Sequence, residues 1–97
     1  MAEALFVIPP LFDPSAAEAL RGDLLISLNS HRSVSLDASQ VDRVGTSGLQ
    51  VLCAAALGFR KADLAFTIRD PNTVFQTAVA EAALTSILDV QSDGDFQ

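Results

Sequence analysis

One cysteine and one histidine are all that this 97-residue chain offers to thiol or imidazole chemistry. A lone Cys53 excludes a disulfide within the chain and fits a reducing compartment, so a cytoplasmic setting is expected. Its neighbours Leu52 and Ala54 are apolar rather than cationic, which reads as a small core residue rather than a nucleophile. His31 lies in Asn29-Ser30-His31-Arg32, a polar turn with no second ligand nearby, and reads as a solvated loop residue. No spacing of His, Cys, Asp and Glu fits a metal site, and no cofactor is expected.

Positive charge is scarce as well. Six Lys and Arg stand against twelve Asp and Glu, a net charge of −6, which argues against nucleic-acid binding because phosphates must be neutralised there. An acidic surface suits a protein partner. The adjacent pair Arg60-Lys61 closes a predicted helix and complements its C-terminal dipole. No apolar run approaches the ~20 residues of a membrane helix, and the longest, Val51 to Phe59, is broken by Gly58, so no direct membrane insertion is expected. The N-terminus shows no basic stretch ahead of an apolar one, so no secretory signal is expected. Repeats, linkers and low-complexity segments are absent.

What is present is a chain that is 49% hydrophobic, enough for one small core. Residues 1–90 read as one domain, and 91–97, with Ser92-Asp93-Gly94-Asp95, as a flexible tail. Ala4 to Ile8 reads as a strand stopped by Pro9-Pro10. Asp13-Pro14 supplies an N-cap and a proline at N1 for a helix to Leu28, with Ala17, Leu20, Leu24 and Leu28 at helical spacing. Leu64 to Ile68 is a further strand. Asp70-Pro71-Asn72 starts a third helix with Phe75, Ala78, Val79 and Ala82 inward, and Leu84 to Val90 reads as a half-turn plus an edge strand.

The organising stretch runs from Ser33 to Leu52. Val34, Leu36 and Ala38 alternate with Ser33, Ser35 and Asp37, predicting a half-buried strand. Leu49, Leu52, Cys53 and Ala56 fall on one helical face, predicting a second helix that buries them. Between the two, Gly45-Thr46-Ser47-Gly48 forms the turn, and Thr46 or Ser47 is expected to cap the helix. The order is β-α-β-α-β-α, and strand–helix–strand units favour parallel neighbours.

Leu36-Asp37-Ala38-Ser39-Gln40-Val41 followed by Val44-Gly45-Thr46-Ser47-Gly48-Leu49 resembles the signature of the STAS domain. That family includes bacterial anti-sigma factor antagonists and the cytoplasmic tails of sulfate transporters. Asp37 and Ser39 match its Asp-x-Ser, while Thr46, Ser47, Gly48 and Leu49 match its Ser/Thr-Ser/Ala-Gly-Leu. Gly45 stands where the family usually carries an acid. The resemblance implies an α/β fold, a single small domain with a mixed, mainly parallel sheet and helices mostly on one side. Pro9-Pro10-Leu11-Phe12-Asp13 replaces the family's usual opening turn, which implies a trimmed first hairpin.

For function, the resemblance implies a regulatory binding module whose partner is an anti-sigma factor of the serine/threonine-kinase type or a histidine-kinase-like signalling or chemotaxis protein. Thr46, and less favourably Ser47, would accept the phosphoryl group, with Asp37, Ser39, Asp42, Gly45, Thr46, Ser47 and Gly48 forming the partner-binding surface. The second implied role is a non-phosphorylated subunit of a bacterial lipid-transport complex. Catalysis by the chain itself is not expected. There is no nucleophile–base pair, and Gly45-Thr46-Ser47-Gly48 is too short for a P-loop and lacks its lysine. Asp37 and Asp42 read as solvated or capping carboxylates rather than a catalytic pair.

Overall fold

The computed structural model describes residues 3–88. Its elements are β1 (Ala4–Val7), β2 (Leu11–Phe12), α1 (Pro14–Asn29), β3 (Val34–Asp37), β4 (Arg43–Val44), α2 (Thr46–Lys61), β5 (Phe66–Arg69), α3 (Thr73–Glu81) and α4 (Thr85–Leu88). The strands β1, β3 and β5 form one sheet in the order β1-β3-β5, and β2 pairs with β4 in a second, two-stranded one. Every pairing among the described residues is parallel. The core joins Val34, Leu36 and Ala38 to Leu20 and Leu24 of α1, Leu52, Ala56 and Phe59 of α2, and Phe75 and Val79 of α3. On the other face Leu5 is 67% and Val7 54% exposed, with Thr67 and Arg69 also exposed. The helices therefore cover one side of the sheet.

Local chemistry explains the helix starts. Asp13 caps α1 by accepting the Ala16 N–H at 2.9 Å, and Pro14 follows at N1. Asn72 caps α3 by accepting the Phe75 N–H at 2.9 Å. At α2 the expectation fails. Its N-cap is Gly45, no side chain caps it, and Thr46 is already inside the helix.

The buried face of α2 is also rotated from the expected one. Gly48, Leu52, Ala56 and Phe59 are buried, whereas Leu49 and Cys53 are half-buried. The cause is Phe12, a fully buried ring over which the first turn of α2 lies. A Cβ on Gly48 would sit 2.5 Å and 2.6 Å from the Phe12 Cδ2 and Cε2 atoms, so only glycine fits. β3 departs from simple alternation because it is the central strand. Val34, Ser35 and Leu36 are all buried, Ser35 between its register partners Leu5 and Thr67. On α3 Phe75 and Val79 are buried as expected, but Ala78 is only half-buried and Ala82, at the helix C-cap, is exposed.

Of the half-turn and edge strand expected over Leu84 to Val90, the described residues show the turn. Thr85–Leu88 is a helical turn that buries Leu88, and Arg60 holds it by donating to the Ile87 carbonyl at 2.9 Å. The end of that expected strand and the expected tail lie outside the described residues.

Candidate functional site

The loops that follow the carboxyl ends of β1, β3 and β5 build the site, the end at which parallel sheets present their binding loops. After β3 the chain must cross to α2, and three anchors shape residues 38–45. The Asp37 carboxylate accepts the Ser39 N–H at 2.8 Å, closing an Asx turn. Asp42 and Arg43 both donate their N–H to the Pro10 carbonyl, at 2.7 and 2.9 Å, and Gly45 donates to Phe12 at 3.3 Å. From the other side, the Asn72 amide donates to the Val41 carbonyl at 2.7 Å and the Ser39 carbonyl at 3.3 Å. Val41 is buried at the centre of this loop, so Ser39, Gln40, Asp42 and Arg43 are left exposed around it.

Thr46 is exposed at the first position of α2. The first-turn N–H groups of a helix lack intrahelical partners, and here neither a capping side chain nor an acid in the first turn engages them. Gly45 does not owe its identity to backbone strain. It adopts φ −92° and ψ 170°, and a Cβ there would meet only the Phe12 carbonyl oxygen at 3.9 Å. Ser47 is half-buried and borders an apolar groove of about 340 Å³ between α1 and α2, which Arg21, Leu25, Gln50 and Val51 also line. Gly48 is buried against Phe12, so it sets where the helix begins rather than offering a surface.

Among the expected site residues, Ser39, Asp42 and Thr46 are exposed, while Asp37, Gly45 and Ser47 are half-buried. The Asp37 carboxyl lies below its ordinary value, because the Ser39 hydroxyl and backbone N–H hydrogen-bond its charged form, with Arg69 adding attraction. Sequence reasoning missed Pro10, Phe12 and Asn72 as parts of the site. Only Asn72 left a signal, as the capping residue of the next helix. No group of three or more His, Cys, Asp or Glu among the described residues could hold a metal, and no described helix is long and apolar enough to cross a membrane.

Comparison with protein-family models gives a match to the model described as Mlab, STAS domain, over residues 11–89. Searches among characterised proteins and among solved structures gave no match. The matched span starts at β2 and takes in the anchored loop and α2, leaving β1 outside. Covering most of the chain, it shows that this protein belongs to the Mlab, STAS domain family.

Proposed function

We propose that the chain is a regulatory protein-binding module of the anti-sigma factor antagonist type, and that phosphorylation of Thr46 switches its binding. The observation that carries this reading is an exposed hydroxyl at the first position of a sixteen-residue helix whose N-terminus has no capping side chain and no acid. The partner is a kinase-type anti-sigma factor or a histidine-kinase-like signalling protein. It moves the γ-phosphoryl group of ATP to Thr46 Oγ and leaves ADP. The added charge, about −1.5 to −2, is tolerated by the helix dipole, so the domain stays folded. A partner docked over Ser39, Asp42 and Thr46 meets that charge and is released. Ser47, half-buried beside the α1–α2 groove, is the lesser acceptor. The chain contributes no catalytic group of its own to the transfer.

Affinity capture from the native cell, with mass spectrometry of partner and phosphosite, identifies both. Thr46→Glu then lowers affinity for the captured partner. An unpaired charge in an interface costs about 2–5 kcal/mol, roughly thirty- to several-thousand-fold. Thr46→Ser keeps the acceptor and the binding. Thr46→Ala keeps binding and loses phosphorylation, and because Thr46 is no cap its stability stays within ~0.5 kcal/mol of wild type. Wild-type affinity in Thr46→Glu, with no phosphate on Thr46 or Ser47, rejects the switch.

Gly45 favours a second reading, a non-phosphorylated subunit of a lipid-transport complex. Gly45 has no side chain with which to orient the Thr46 hydroxyl toward a phosphoryl donor, as the family's usual acid could. A captured transporter ATPase with an unmodified Thr46 selects that reading.

A further inference from the structure

We propose that the free edge of β1 pairs antiparallel with the same edge of a second copy of this chain, giving a two-fold dimer with one sheet running through both. Among the described residues the strand order makes β1 and β5 the two edges of the sheet, and edges present unpaired N–H and C=O groups to any strand that fits. Which groups are free follows from the ladder. Ala4 and Ile8 donate inward, to the Ser33 and Asp37 carbonyls at 2.9 Å, so by alternation Phe6 also faces β3 while Leu5 and Val7 face out. Among the described residues nothing bonds to the outer side of Leu5 or Val7.

The two edges are protected differently. On the open face β5 shows Thr67 and Arg69, a polar and a charged residue of the kind that discourages strand addition. On the same face β1 shows Leu5 and Val7, 67% and 54% exposed, and no charge occurs from Ala4 to Ile8. Beside this edge on the helix side lies Ile26 of α1, 66% exposed, in a hollow that Leu5 and Phe6 line together with the charged Glu3, Asp23 and Arg32.

These features select a second copy as the occupant, because the edge is complementary to itself. A two-fold axis beside Phe6 sets Leu5 opposite Val7 of the second copy, and Val7 opposite its Leu5. Each of the two pairs then exchanges both backbone bonds. The same operation places the exposed Leu5 and Val7 side chains against their counterparts on the open face. A foreign strand would have to supply that apolar alternation independently. The shared patch is far smaller than the ~800 Å² per partner of a stable dimer, so the association is a weak, concentration-dependent one. Both copies carry −6, and the dimer tightens as salt screens that repulsion.

Sedimentation equilibrium across concentration, with residue-resolved hydrogen exchange of the full chain by NMR, tests the dimer. The expected result is a concentration-dependent dimer in which the Leu5 and Val7 amides slow at least tenfold between dilute and concentrated samples. The Phe6 amide, already bonded to β3, changes little. Leu5→Pro removes an outward N–H without touching the inward ladder and gives a monomer with its cooperative melt retained. Leu5→Lys, which places a charge on the strip, serves if the proline variant does not fold. A monomer at millimolar concentration, a dimer that persists in the folded variant, or Leu5 and Val7 amides indifferent to concentration would each overturn the proposal.

Discussion

Gly45 and Gly48 are the same residue three positions apart, and the structure gives them opposite reasons for being glycine. Gly48 is required, since any Cβ collides with the buried Phe12 ring. Gly48→Ala is expected to cost about 1–3 kcal/mol in a denaturant titration, the usual penalty for overpacking a site that cannot relax. Gly45 is not required, because its dihedrals suit any residue and its surroundings are open. Gly45→Asp supplies the missing cap acceptor and a charge at the positive end of α2, and should stabilise by about 0.5–1 kcal/mol in the same titration. The sequence could not tell the two apart, because the difference lies in Phe12, which is distant in the chain. It misled at Thr46 for a related reason. A hydroxyl after a glycine reads as a cap, but the loop reaches the helix axis one residue early, pulled there by the Gly45 bond to the Phe12 carbonyl.

Among the elements, those that announce themselves locally were legible. Asp13-Pro14 and Asn72 mark the starts of α1 and α3 by side-chain bonds to N–H groups three residues on. The two-residue strands β2 and β4 left no pattern long enough to carry a period, yet they hang the site loop from Pro10. Leu84 to Val90 read as a half-turn plus an edge strand, and its described part is the helical turn Thr85–Leu88, whose Ile87 carbonyl accepts from Arg60. Asn72 works for two elements at once, as cap of α3 and as clasp on the loop carbonyls of Ser39 and Val41. Asn72→Ala should cost about 1–3 kcal/mol by thermal melting, combining a lost cap with carbonyls left unpaired. Asn72→Ser keeps a neutral cap acceptor for the Phe75 N–H but is too short to donate to both carbonyls. Its drop in melting temperature should fall between those of wild type and Asn72→Ala, and the difference isolates the clasp.

For the molecule as a whole, the parallel α/β arrangement followed from element order and the one-sided helices from the family resemblance, whereas the exposed Leu5–Val7 strip did not show, since an unbroken apolar run from Ala4 to Ile8 has no alternation to mark an open face. The same holds for Ser35, whose burial reflects the central place of β3 and not its own chemistry. Acid stability has a definite sign. Asp37 is held below its ordinary value of 3.8, so its contribution is fully present above that pH and is lost as pH falls through the lower folded-state value. Asp37→Asn should therefore show less loss of stability than wild type in melts taken below about pH 4, and a steady deficit above it. The parallel pairing has a kinetic consequence. No described strand meets its partner through a hairpin: Ala4 waits for Val34, Leu11 for Arg43 and Val34 for Phe66. Each encounter closes a loop of about thirty residues before any ladder bond repays the lost chain entropy. Folding is then limited by loop closure around the intervening helices, and the helix α1 or α2 that shortens a loop by forming early sets the rate at which the sheet assembles.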